Sequence, residues 1–87
     1  MITMDETATM MLNDDYKERF IAEYWQLKHR YDNLHRMIIK YEAGTLNFKP
    51  DCSLALLSEQ KIYMGEYLRV LEIRAEIEKI DLDNLHK

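Results

Sequence analysis

Glycine and proline are scarce in this chain, which has only Gly44, Gly65 and Pro50 in its 87 residues. Because these residues interrupt regular secondary structure, their scarcity predicts long helices rather than many short elements. The single cysteine, Cys52, permits no internal disulfide and is the usage expected in a reducing cytoplasm. With 87 residues, the chain is long enough for one domain with one core.

Long apolar runs are also missing, and the N-terminal residues lack the basic start and apolar centre of a secretory signal. We therefore expect the protein to stay in the compartment where it is made, with no membrane partner. The net charge is -4. Because affinity for DNA or RNA comes mostly from neutralising phosphates, this balance argues against a polymeric nucleic acid as partner. A local basic patch can still bind one small anion.

The first half of the chain has the apolar spacing of a helix that packs against a neighbour. Apolar residues recur there at alternating steps of four and three, at Phe20, Tyr24, Leu27, Tyr31, Leu34, Ile38 and Tyr41. This spacing predicts one helix over about residues 14–43. Asn13 or Asp14 can serve as its N-cap, and Gly44 fits a left-handed stop.

A second helix is predicted over about residues 53–80, after a connection over residues 44–52 that contains Pro50. Asp51 or Ser53 can serve as its N-cap. This helix carries two apolar stripes. The first stripe consists of Leu57, Met64, Leu68, Leu71 and Ala75, and the second consists of Tyr63, Tyr67, Val70, Ile77 and Ile80.

Together the two helices predict an all-α fold, a long antiparallel two-helix hairpin over residues 14–82. Residues 1–13 form an N-terminal segment that is either a short docking helix or disordered. Residues 83–87 form a tail, and we expect the C-terminal stretch DLDNLHK to fray.

A lone hairpin can bury only one stripe from each helix, so apolar residues are left over. They comprise the second stripe of the second helix and four residues that lie outside the main apolar series of the first helix, namely Ile21, Trp25, Met37 and Ile39. Burying each such side chain is worth roughly 1.5–3 kcal/mol. We therefore expect a homo-oligomeric helical bundle of four or more helices. A host protein that covers the same surface is the alternative.

Catalytic patterns are weak in this sequence. His29 and His35 are six residues apart and point about 120° apart around a helix, so they do not chelate a metal together. There is no phosphate-binding glycine loop and no serine or cysteine in a recognisable nucleophile setting. We expect no enzymatic activity, no metal and no cofactor.

Positive charge is concentrated in the segment LKHRYDNLHRMIIKYEAG, residues 27–44, whereas residues 72–83 are mainly acidic. One interpretation is a solvated helix face whose charges pair between subunits. The other is an anion pocket, in which a tyrosine stacks on a base and a lysine or arginine contacts phosphate. The candidate residues for such a pocket, formed across subunits, are Tyr16, Tyr24, Tyr31 and Tyr63 with Lys28, Arg69 or Arg74.

The stretches FIAEYWQLKHRYDNLHRMIIKYEAGTLNFKPDC, LLSEQ, YMGEYLRVLE and IRAEIEKIDL resemble a family of small bacteriophage and prophage proteins of unassigned role, over residues 16–82. More distantly, the order of a long helix with L-K and D-N-L, a break and a second helix with a central glycine is similar to the hairpin domain of viral anti-CBASS and anti-Thoeris sponges. Those sponges are oligomeric helical hairpins that sequester cyclic-nucleotide signals without cleaving them.

The resemblance implies roles for particular residues. Lys28 matches the phosphate-binding lysine, Tyr16 the base-stacking aromatic residue, and Arg69 or Arg74 an arginine of the second helix. Gly65 falls where the sponge hairpin has a glycine, and either a ligand or a closely packed helix would explain it. The acidic net charge departs from the sponge pattern and argues against a highly charged ligand.

The resemblance also implies a function. We expect a phage-encoded immune-evasion protein that acts in the host cytoplasm and holds a cyclic nucleotide-type molecule at subunit interfaces, with Lys28, Tyr16, Arg69, Arg74 and Tyr31 as ligand-binding residues. The alternative is a helical protein–protein interaction module that inhibits or adapts a host protein. A structural role in the virion is a third hypothesis.

Overall fold

The structure is a computed structural model that describes Met4 and residues 15–83. Within this part of the chain it contains two helices, α1 (Tyr16–Ala43) and α2 (Leu54–Glu78), and no strand. Tyr16 at the start of α1 contacts Glu78 at the end of α2, and Tyr31 packs on Gly65 near the middle of both helices. The helices are therefore antiparallel, which confirms the predicted all-α hairpin.

The first helix is bounded by residues that satisfy its free backbone groups. Asp15 has an extended backbone, and its carboxylate accepts hydrogen bonds from the Lys17 and Glu18 amides at 2.8 and 3.1 Å. The N-cap is thus Asp15 rather than Asn13 or Asp14, both of which lie outside the described residues. At the other end, Gly44 adopts a left-handed conformation with φ 77°, as the sequence predicts.

The second helix begins after Ser53, whose hydroxyl accepts from the Leu56 amide at 3.1 Å, so Ser53 and not Asp51 is its cap. It ends at Glu78, two residues before the predicted end. Lys79 takes a left-handed conformation with φ 58°, and the Ile80 amide donates to the Ala75 carbonyl at 2.8 Å. The chain therefore turns back at Lys79 instead of continuing as helix.

The core lies where the first half of α1 meets the second half of α2. Leu71 is 1% exposed and is its most deeply buried large side chain. Three of the five residues of the first stripe of α2, Leu68, Leu71 and Ala75, lie in this core, whereas Leu57 and Met64 are half-buried outside it. The buried members of the cluster are Phe20, Ile21, Ala22, Tyr24, Trp25, Leu68, Leu71, Ala75 and Ile80.

Two predictions about this end of the hairpin are wrong. Ile21 and Trp25 need no second subunit to cover them, since both are buried in the core of the chain itself. Ile80 is not part of an exposed stripe, because the turn at Lys79 brings it into the same core. Leu82 packs against the cluster as well, and its carbonyl accepts from the Trp25 indole Nε1 at 2.7 Å.

The described part of the tail is consequently packed rather than frayed, while residues 84–87 lie outside the described residues. The predicted N-terminal segment over residues 1–13 also lies outside the described residues, apart from Met4.

Of the other leftover residues, Met37 is half-buried and Ile39 is 52% exposed. The remaining members of the second stripe, Tyr63, Tyr67, Val70 and Ile77, are exposed as predicted. No described helix is long and apolar enough to cross a membrane.

Candidate functional site

The hairpin places four of the five predicted ligand residues in two separate groups. The Tyr16 cluster consists of Tyr16, Arg74 and Glu78, at the end of the hairpin where α1 begins and α2 ends. The Tyr31 cluster consists of Tyr31, Lys28, Lys61, His35 and Gly65, near the middle of both helices.

In the Tyr16 cluster, all three side chains are joined by hydrogen bonds. The Tyr16 hydroxyl donates to Glu78 Oε1 at 2.8 Å and accepts from Arg74 Nη2. Arg74 Nε also donates to Glu78 Oε2 at 3.0 Å, and its guanidinium lies 4.9 Å from the centre of the Phe20 ring. Each chain thus supplies its own carboxylate to the arginine, and a phosphate at this position must compete with Glu78.

The hydrogen bonds of the Tyr16 cluster favour the ionised forms of Glu78 and Arg74. The hydrogen bond to Glu78 raises the pKa of the Tyr16 phenol. The hydrogen bonds from Tyr16 and Arg74 lower the pKa of Glu78, and the hydrogen bond to Glu78 raises the pKa of Arg74. Glu78 is therefore ionised near neutral pH, and much of the positive charge of Arg74 is already balanced within the chain.

The Tyr31 cluster combines a flat aromatic face with two positive charges. The Lys28 ammonium lies 5.7 Å from the centre of the Tyr31 ring, and the Lys61 ammonium, from α2, lies 5.8 Å from it. Lys28 is paired with Asp32 at 2.9 Å. Lys61 forms no ion pair with any residue that the structure describes. Its ammonium is therefore not held in direct contact by a carboxylate of the described residues.

One further ring and a missing side chain shape this site. The His35 imidazole is parallel to the Tyr31 ring, with an interplanar angle of 3° and 6.5 Å between the ring centres. Gly65 allows α2 to approach the phenol, because a Cβ atom there would stand 3.3 Å from Tyr31 Cε2. Close helix packing therefore accounts for the glycine, and it fixes Tyr31 at the edge of an open groove.

The groove beside Tyr31 has a volume of about 440 Å³, which lies in the range of small-molecule sites. Lys61 and Ser58 contribute polar groups from α2, whereas Ile38 provides an apolar wall. Glu42 and Glu66 lie at its rim. Those two carboxylates limit the negative charge that a ligand in the groove can carry.

The other predicted candidates lie elsewhere. Arg69 is exposed on α2, where its Nε is 3.4 Å from Glu66 Oε2, and it belongs to neither cluster. Tyr24 is a core residue: its hydroxyl donates to Glu72 at 2.7 Å, and burial, followed by this hydrogen bond, raises its pKa. Tyr63 is 67% exposed.

Lys61 is the residue that the sequence predictions missed. It lies four residues before Gly65, so the two share one side of α2. A search for basic residues one turn from the mid-helix glycine would have found it.

A family model for Sequestin matches residues 14–77 of the chain. The chain belongs to the Sequestin family. No curated protein and no solved structure gave a significant match.

The Sequestin match covers the whole of the Tyr31 cluster and nearly all of both helices. It ends at Ile77, so Glu78 lies just beyond it. Tyr16 and Arg74 are inside the match, but the carboxylate that joins them is not. The Tyr31 cluster is therefore the candidate site that lies entirely within the Sequestin region.

The two clusters are too far apart to hold one small ligand within a single chain. Tyr16 and Tyr31 are fifteen residues apart on α1, which corresponds to about 22 Å along a helix. The five predicted ligand residues therefore form no common site in one subunit. Within the described residues, no group of three or more histidine, cysteine or acidic side chains could hold a metal ion.

Proposed function

We propose that this chain sequesters a small phosphate-bearing nucleotide-type signal, binding it without cleaving it, and that the Tyr31 cluster holds the ligand. The observation that carries the proposal is the pair of ammonium groups, one from each helix, within 6 Å of the centre of one tyrosine ring. The name of the Sequestin family supports sequestration as the general role.

The chemistry of the cluster matches the two parts of a nucleotide. The Tyr31 ring offers a flat apolar face on which a base can stack, worth roughly 1–3 kcal/mol per base. Lys61 offers charge-assisted hydrogen bonds to phosphate oxygens, and Lys28 can do the same where a phosphate replaces its contact with Asp32. The stacked His35 ring extends the aromatic surface beyond Tyr31.

The ligand class is a cyclic nucleotide-type signal of the CBASS or Thoeris kind, and the biological setting is phage evasion of host immunity in the host cytoplasm. This part of the proposal is supported by the resemblance to viral sponges. The groove beside Tyr31 is open on one side, so a second subunit would complete the enclosure of the ligand. A signal with few phosphates fits best, because Glu42 and Glu66 border the groove.

The test is a set of native mass spectra of the full chain, alone and with a panel of cyclic dinucleotides, cyclic trinucleotides and cyclic ADP-ribose isomers. We expect the oligomer to shift by whole ligand masses, with a stoichiometry tied to the number of subunits. Heat denaturation should then release the ligand intact. An oligomer that takes up no member of the panel, or that returns a cleaved product, contradicts the proposal.

A host-protein partner is the second candidate function, and the exposed apolar side chains of α2 favour it. Ile62, Tyr63 and Ile77 are 63%, 67% and 74% exposed. Under this alternative, the purified chain should ignore every nucleotide in the panel and form a stable complex with one host protein.

A further inference from the structure

Seven residues of α2 repeat at alternating steps of four and three along a largely exposed side of the helix, and one of them, Arg74, also contacts Tyr16 and Phe20 of α1. We call this surface the α2 seam, and its residues are Leu56, Gln60, Tyr63, Tyr67, Val70, Arg74 and Ile77. The five apolar members are between 44% and 74% exposed. The spacing is that of a coiled-coil contact, which on α2 is about 32 Å long.

The α2 seam is distinct from the side of α2 that forms the hairpin. Leu68, Leu71 and Ala75 face α1 and are buried, whereas Tyr67 and Val70 are exposed next to them in sequence. Leaving a three-heptad apolar surface in water is unfavourable, because each such side chain gains free energy when it is buried. The α2 seam therefore requires a helical partner.

We propose that the α2 seam packs antiparallel against the same seam of a second copy of this chain. The order of residue types along the seam is the same in both directions, with apolar ends, one polar residue inside each end and three apolar residues at the centre. An antiparallel copy centred near Tyr67 therefore matches apolar with apolar residues at five of the seven positions, and pairs Gln60 with Arg74 at the other two. A partner of unrelated sequence has no reason to match this symmetry.

Charge also favours the antiparallel orientation. Antiparallel packing places Arg74 opposite Gln60 of the partner subunit. Arg74 then lies within about one helical turn of Glu59 of the partner subunit. Parallel packing in register would instead place the two Arg74 side chains in one layer. Glu78 already neutralises Arg74 within the chain at 3.0 Å, so an arginine at this position does not bring an unpaired charge into the interface.

The surface has room for side chains from the second copy. Leu56, Tyr63, Met64 and Tyr67 line a mainly apolar groove of about 540 Å³ along the N-terminal half of the seam. In the antiparallel arrangement, the C-terminal half of the partner's seam lies along this groove. Two such grooves form in each pair, one from each subunit, as a two-fold interface requires.

The α2 seam and the Tyr31 cluster lie on different sides of α2. Gly65 is two residues from both Tyr63 and Tyr67, which corresponds to about 200° around a helix. Pairing through the seam therefore leaves the Tyr31 groove open, and enclosure of a ligand there would take a further subunit beyond the seam pair. The inference about the seam does not depend on the proposed ligand, and the two can fail separately.

The first test is the molar mass of the full chain by light scattering or sedimentation equilibrium, for the wild type, Tyr67→Glu and Ile39→Glu. Ile39 is a matched control, because it is an exposed apolar helical residue outside the seam and outside the Tyr31 groove. We expect an oligomer for the wild type and Ile39→Glu, and half that mass or less for Tyr67→Glu. Far-UV circular dichroism shows whether each variant folds, and Val70→Glu serves as a second seam variant. A monomeric wild type, or seam variants of unchanged mass, would overturn the inference.

The second test measures orientation in the wild-type chain. Cys52 is exposed just before α2, so a spin label on this single cysteine reports where the two helices begin. Antiparallel pairing predicts a label-to-label distance of about 40–50 Å, from the rise of 1.5 Å per residue. A distance below about 20 Å, as expected for parallel helices in contact, would refute the antiparallel arrangement.

Discussion

Tyr31 of α1 lies directly against Gly65 of α2, so close that a Cβ atom at position 65 would stand 3.3 Å from the phenol ring. A glycine within a helix costs up to about 1 kcal/mol relative to alanine. This less favourable residue stands at the point where the two helices approach each other beside the candidate ligand site. The contact therefore links the stability of the hairpin to the position of the Tyr31 ring.

Gly65→Ala should have a small effect on stability, because the gain in helix propensity offsets a ring displacement of a few tenths of an ångström. We expect a change in the free energy of unfolding below about 1 kcal/mol. Gly65→Leu should cost about 1–3 kcal/mol, because its side chain cannot fit beside Tyr31. Urea unfolding followed by circular dichroism measures both values. A Gly65→Leu variant as stable as the alanine variant would show that the ring is not held there.

Trp25→Phe should loosen the segment that follows α2. The substitution removes the indole donor to the Leu82 carbonyl, a bond of 2.7 Å, and leaves a smaller side chain in the core. We expect a loss of about 1–2 kcal/mol and faster hydrogen exchange at the Ile80 amide. Tyr41→Phe, at a site 45% exposed, is the control and should change neither quantity. Unaltered exchange at Ile80 in the Trp25 variant would contradict the packing described for this segment.

The Tyr16 cluster predicts a specific dependence of stability on acid. The pKa of Glu78 is lowered in the folded chain, below its ordinary value of 4.5, by hydrogen bonds from Tyr16 and Arg74. Its contribution is therefore present above pH 4.5 and is lost as the pH falls through the lower, folded value.

Glu78→Gln should accordingly be less stable than the wild type near pH 6, and the difference should shrink as the pH falls below 4.5. Urea unfolding midpoints of both proteins across this range provide the measurement. A difference that stays constant with pH would mean that ionised Glu78 does not support the fold.

The helical hairpin was predictable because its signals are local. The alternating steps from Phe20 to Ile38 define the inner side of α1, and Gly44 marks its end. The structure was needed to choose Ser53 over Asp51 as the cap of α2, since both residue types can accept the same amide hydrogen bond, and to place the cap of α1 at Asp15.

The end of α2 was not predictable in the same way. Left-handed helix ends usually carry glycine, but here Lys79 adopts φ 58°. The burial of Ile80 and the bond between Trp25 and Leu82 follow from that turn. No local pattern identifies a lysine in this conformation, and the core contacts that stabilise it come from residues more than fifty positions away.

The candidate site was half predictable. The sequence pointed to Lys28 and Tyr31, because both lie in the basic, tyrosine-containing segment of α1. It did not point to Lys61, since the alignment of α2 along α1 is set by tertiary packing. The spacing of fifteen residues along one predicted helix already separates Tyr16 from Tyr31, but the placement of Arg74 beside Tyr16 depends on how the two helices align.

The most direct test of the account is a calorimetric titration, with the nucleotide retained in the native spectra, of the wild type, Lys28→Ala, Lys61→Ala and Lys49→Ala. Lys49 is an exposed lysine of the connection between the helices and is the charge-matched control. Loss of one charge-assisted hydrogen bond should weaken affinity by at least about tenfold in the first two variants. We expect this result with an unchanged oligomer and with wild-type affinity for Lys49→Ala. Wild-type affinity in both Lys28→Ala and Lys61→Ala would contradict a ligand site at Tyr31.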